Sequence, residues 1–107
     1  MLSERDRGIA QEFKEKLLAN KVPLQEIKAF GSRARGDFSP ESDLDLWLLL
    51  RETSPEIEAL ISRLAWEVGF GHQVIITTVE YTPEIWYNSP LKESPFIKAI
   101  NLEGITL

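Results

Sequence analysis

The chain has 107 residues, 43% of them hydrophobic, which is enough for one small core and not for two. Twelve Lys and Arg stand against seventeen Asp and Glu, a formal charge of -5, so the molecule as a whole repels polyanions and lacks the broad basic face of a nucleic-acid binder. With no cysteine and only His72, the sequence excludes disulfides, thiolate-bound zinc, thiol catalysis and a histidine cluster, and any metal must be a hard cation on oxygen ligands.

The first residues, MLSERDRG, are charged where a signal peptide would be apolar, and no apolar run approaches the roughly 20 residues needed to span a bilayer, so a cytoplasmic protein with no membrane association is expected. Ser3 with Asp6 forms a start like a capping box. Ile9, Phe13 and Leu17 then recur every four residues, predicting an amphipathic helix over Glu4 to Ala19 that Asn20 and Pro23 end. Gln25 to Phe30 reads as a strand stopped by a Gly31-Ser32 turn. Asp43 to Leu50, DLDLWLLL, alternates and then becomes wholly apolar, as in a central strand covered on both faces.

Ser54-Pro55 supplies an N-cap and a first-turn proline. Ile57, Leu60, Ile61, Leu64, Ala65 and Val68 then trace one helical stripe that Gly69 is expected to close. His72 to Val79 is rich in branched residues and predicts a third strand. Thr82-Pro83 begins a short helical turn, and Ser94-Pro95 begins a final helix from Pro95 to Glu103 that ends at Gly104. Interleaved helices and strands without a linker or repeat predict a single α/β (α+β) domain over residues 1–107, a small mixed sheet packed against helices, with its site at strand ends.

The segment from Gly31 to Asp45 carries the chemistry. Side chains two apart in a strand share a face, so Asp43 and Asp45 look into one volume at roughly 7 Å spacing. Paired carboxylates at the mouth of an apolar sheet repel each other, and a divalent cation between them relieves that repulsion; oxygen ligation favours magnesium or manganese, completed by substrate phosphates. Gly31 permits close approach of backbone to a phosphate, Ser32 adds a hydroxyl, and Arg33 and Arg35 are within reach as charged donors. Gly31 and Gly36 are spaced as in a P-loop, but Asp37-Phe38 stands where Lys-Ser/Thr is required, and there is no GxGxxG. Arg35-Gly36-Asp37, a tripeptide matching the cell-adhesion signal, carries no information here.

Gly31-Ser32, ten residues, then Asp43-Leu-Asp45 ahead of an apolar strand resembles the signature of the nucleotidyltransferase superfamily typified by DNA polymerase β. The short chain and the wording FGSRARGD...SDLDL are similar to the minimal nucleotidyltransferases, MntA-like antitoxins paired with HEPN-domain partners. The resemblance implies magnesium-dependent transfer of a nucleoside monophosphate from an NTP, ATP foremost, with Ser32 on the triphosphate and Asp43 and Asp45 on metal. It further implies an acceptor tyrosine on a HEPN toxin, assembled with this chain and silenced by adenylylation. The family's third carboxylate, on the next strand, aligns with Gln73, whose amide oxygen ligates weakly and cannot act as a base. Glu80 would replace it only in a register shifted by several residues. Nucleotide and metal binding are therefore expected to survive, with turnover weakened.

Each residue has a plainer reading, and only the joint spacing overturns it. Asp43 and Asp45 alone would be a strand start emerging into solvent, Ser32 a turn hydroxyl, and Arg33 and Arg35 a solvated loop. Asp37 is expected to cap or turn the loop before Pro40, Ser42 to orient Asp43, and His72 to be an exposed residue at a strand start. Trp47, Trp66, Phe70, Trp86 and Tyr87 are expected mostly in the core. Trp66 is the exception, because it falls beside Arg63 and Glu67 on the helix wheel and, with Trp86 and Tyr87, would mark a partner surface. The runner-up function is a catalytically weak or inactive nucleotide- or partner-binding subunit that neutralises its partner by contact. A polynucleotide-extending enzyme comes third, disfavoured by the acidic charge.

Overall fold

A computed structural model of the chain describes residues 1–107 apart from Phe38 and Pro40, so the turn expected before Pro40 lies partly outside the described residues. The first helix, α1, runs Glu4–Ala19, with the Ser3 hydroxyl accepting the Asp6 N–H at 3.0 Å. Strand β1 (Leu24–Phe30) leads into a one-turn helix, α2 (Gly31–Arg35), where a bare turn was expected. Strand β2 (Leu44–Leu50) is followed by α3 (Pro55–His72), whose Ser54 hydroxyl accepts the Ile57 N–H at 3.2 Å. Strand β3 (Ile76–Tyr81), α4 (Pro83–Asn88), a 3-10 turn (Pro90–Glu93), α5 (Pro95–Glu103) and the two-residue β4 (Ile105–Thr106) complete the chain.

Gly69 does not close α3. A Cβ built on it would stand 2.4 Å from the Val74 carbonyl oxygen, so this glycine sits inside the helix where the returning chain passes against it. The helix stops three residues later, at His72, because Gln73 turns left-handed (φ 57). The third strand consequently begins at Ile76 and not at His72. His72 is the last helical residue, with Nε2 3.0 Å from Glu12 Oε1.

The sheet has the order β3-β2-β1-β4, with β2 and β4 antiparallel to β1 and β3 parallel to β2. A parallel neighbour requires a crossover connection, which α3 provides. Burial of β2 on both faces follows from two helical layers. Leu44, Leu46, Leu48 and Leu50 point with Ile27 and Ala29 into a core closed by Phe13 and Leu17 of α1 and by Ile61 and Leu64 of α3. Trp47 and Leu49 point the other way, against Trp86 of α4 and Ile97 and Ile100 of α5. Each such side chain stabilises the fold by about 1.5–3 kcal/mol relative to exposure, so the unbroken apolar half of β2 holds the layers together. Asp45 lies one step before Trp47 on the same face and is only half-buried. Among the described residues no helix is long and apolar enough to cross a membrane.

Candidate active site

Three strand ends meet at one end of the sheet. The last residue of β1, Phe30, pairs with Asp45 of β2, and Asp45 pairs with Thr77 of β3, so all three project from one face. The Thr77 hydroxyl donates to Asp45 Oδ1. On the other side Gly31, left-handed at φ 78, comes so close that a Cβ on it would fall 2.2 Å from Asp45 Oδ2. Only glycine fits between this carboxylate and the turn. Ser32 follows, half-exposed, with its carbonyl accepting the Gly36 and Asp37 N–H groups at 2.9 and 3.1 Å. Asp43, also half-exposed, immediately precedes β2 in the same phase of alternation as Asp45. The Leu44 N–H between them is anchored on the Ile75 carbonyl at 2.8 Å. Gly31, Ser32, Asp43 and Asp45 thus lie at the same end of the sheet, with Gly31 directly against Asp45.

Arg33 behaves differently from the loop donor that the sequence suggested. It is 4% exposed, its Nη1 lies 3.0 and 3.1 Å from the two oxygens of the 1%-exposed Asp6, and its Nε donates to the Ser42 carbonyl at 2.8 Å. The guanidinium ties α1 to the turn and to the residue before Asp43, which makes it a brace and not a phosphate clamp. Asp6 was missed as a partner, although its place one turn before Ile9 and Ala10 puts a carboxylate in the apolar stripe, and that pattern is the signal for a buried ion pair. Arg35 is exposed and reaches Asp37 at 3.4 Å, so it remains on the solvent side of the turn. The Ser42 hydroxyl accepts the Ser39 N–H at 3.1 Å, bracing the loop and not orienting Asp43.

Gln73 is not the residue opposite the carboxylate pair. It caps α3 ahead of β3, exposed, while the β3 residue in register with Asp45 is Thr77. Glu80 pairs with Leu48 and therefore lies on the opposite face of the sheet. Burial pushes its carboxyl above the ordinary range, with Glu58 adding to the rise and a hydrogen bond to the Thr78 side chain opposing it. Among the described residues no third carboxylate, histidine or cysteine joins Asp43 and Asp45. Their oxygens suit a magnesium or manganese ion that takes its remaining ligands from phosphate and water.

Residues 7–104 match the nucleotidyltransferase domain family, and the chain belongs to it. A protein of Methanocaldococcus jannaschii, MJ0141, provisionally described as a protein adenylyltransferase, is 32% identical over 80 residues, which is 72% of this chain and 80% of that protein. A toxin–antitoxin structure with AMP-PNP superposes with a TM-score of 0.59 at 21% identity, over 89% of this chain and 69% of that one. A chain from the complex of the tri-AMPylated Shewanella oneidensis HEPN toxin with its MNT antitoxin gives 0.57 at 17% identity, over 94% and 70%. At these identities the likeness is one of fold. The single domain, a four-stranded mixed sheet between helices, has the polymerase β-like fold of the minimal nucleotidyltransferases.

Proposed function

We propose that this protein transfers a nucleoside monophosphate, AMP from ATP foremost, to a hydroxyl of a HEPN-domain protein, silencing that partner as the antitoxin of a pair. One observation carries the reading: Asp45 is held between Gly31 and the Thr77 hydroxyl, with Asp43 and Ser32 at the same sheet end. Asp43 and Asp45 are assigned to the metal, and Ser32 with the Gly31 backbone to the triphosphate. Arg35 is the remaining candidate cation for a phosphate oxygen, and Arg33 keeps the turn in place. In the transfer the acceptor oxygen bonds to the α-phosphorus, the bond to the bridging oxygen breaks, and pyrophosphate leaves. Such chemistry needs positioning and charge neutralisation above all.

A second reading is favoured by Thr77. With a hydroxyl where a third carboxylate would act as general base, a contribution of about 10²–10⁴-fold is missing, and the acceptor's proton falls to Asp43 or to water. On this reading the protein binds nucleotide and restrains its partner chiefly by contact. Incubation with ATP, magnesium and the purified HEPN-domain partner, followed by mass measurement of the partner, separates the two. Transfer predicts added AMP on the partner, and an unmodified partner with ATP still bound leaves the contact reading. Asp43→Asn combined with Asp45→Asn is expected to abolish magnesium-dependent ATP binding, measured by calorimetry; unchanged affinity would move the site elsewhere.

A further inference from the structure

An exposed apolar patch runs between α3 and the edge strand β3. Trp66 and Phe70, one turn apart on α3, are 65% and 72% exposed and stack on each other with centroids 5.1 Å apart. Ile75, in the approach to β3, is 66% exposed. Between them runs a groove of about 870 Å³ whose lining also includes Gln73, Ile76 and Thr78 and contains no carboxylate, lysine or arginine. Exposing three large apolar side chains in one contiguous patch is unfavourable for an isolated small domain and marks an interaction surface.

The strand in this groove says what kind of chain fits. β3 is at the edge of the sheet, and none of the described residues pairs with its outer side. Within a strand the N–H and C=O of one residue point the same way, and successive residues alternate. The Ile75 carbonyl bonds to Leu44 of β2, so the main-chain groups of Ile76, Thr78 and Glu80 face outward. The ITTVEY sequence has no proline or lysine to blunt that edge. A helix in the groove would leave those donors and acceptors unmet, whereas an extended chain satisfies them. The same β3 carries Thr77, which holds Asp45 on the opposite face of the sheet, so a chain laid along the outer edge is separated from Asp45 by this one strand.

We infer that an extended segment of the acceptor protein adds to β3 as a fifth strand, with its apolar side chains on Trp66, Phe70 and Ile75. This rests on the proposed protein-modifying function and identifies where the acceptor is held. The probe is the purified HEPN-domain partner, and its affinity for the full-length chain is measured alongside magnesium-dependent ATP binding. Trp66→Ser with Phe70→Ser is expected to weaken partner binding tenfold or more with ATP affinity unchanged, roughly as for removal of hot-spot aromatics. Thr78→Pro removes one outward N–H at an edge position where proline is tolerated, and is expected to weaken partner binding similarly. Hydrogen exchange should slow at the Ile76, Thr78 and Glu80 amides when the partner binds. Wild-type affinity in these variants, no partner binding by the wild type, or unprotected edge amides would overturn the inference. So would a wild-type dimer dissolved by Trp66→Ser with Phe70→Ser, since the groove's occupant would then be a second copy. A partner that binds in the groove but gains no AMP sinks the transferase reading alone.

Discussion

At the level of single residues, the site turns on what surrounds Asp45. The spacing of Gly31-Ser32 and Asp43-Leu-Asp45 is local and could be read directly, because strand alternation and a glycine's small size are properties of short segments. What flanks Asp45 across the sheet depends on the register of two parallel strands joined through an 18-residue helix, and no local pattern encodes that register. Gln73 was therefore expected beside the carboxylates, whereas the β3 residue in register with Asp45 is Thr77. Thr77 is thus the place to introduce a carboxylate next to Asp45. Thr77→Asp is expected to raise the rate of AMP transfer to the partner by about tenfold or more, recovering part of what a positioned general base contributes. The rate is read from the mass of the modified partner over time; an unaltered rate would mean that proton removal is not what limits turnover, and a lower one that Asp45 depends on the Thr77 hydroxyl.

Among the elements, α1 and α5 begin where their capping residues predicted, since Ser3 and Ser94 each accept an N–H three residues on and fix the first turn. The end of α3 was misread because glycine has two uses, as a left-handed cap and as a place of close approach, and sequence alone does not say which applies at Gly69. The tie between α1, α2 and the start of β2 was equally hidden, because Asp6 and Arg33 are 27 positions apart. Their pair is buried, so removing the Asp6 charge takes the carboxylate away from the Arg33 guanidinium in a low-dielectric site. Asp6→Asn is expected to destabilise the fold by about 3 kcal/mol or more, measured by urea unfolding. It should also loosen Ser42 and the turn ahead of Asp43. A loss under about 1 kcal/mol, the range of a surface pair, would show that the brace is not needed.

For the molecule as a whole, α/β character and two-sided burial of β2 followed from the element pattern, whereas the strand order and the terminal β4 did not, since Ile105 and Thr106 of β4 pair with Ala29 and Lys28 of β1 across most of the sequence. Overall stability should carry a pH signature from Glu80. Its carboxyl is raised in the fold, so the folded state holds that proton more tightly than the unfolded chain. The resulting stability is present below the unfolded pKa and is lost as pH rises through the folded one. Glu80→Gln should melt with the wild type at about pH 4 and below, and above it at neutral pH. Equal melting temperatures across that range would mean that the carboxylate is not penalised by its surroundings. Gly69 has a reach beyond helix packing. The Val74 carbonyl rests against it, so the gap between α3 and β3 is set by the absence of a single methyl group. Adding that methyl would act as a wedge, pushing the start of β3 away from α3, so that the aromatic groove widens and Thr77 shifts against Asp45.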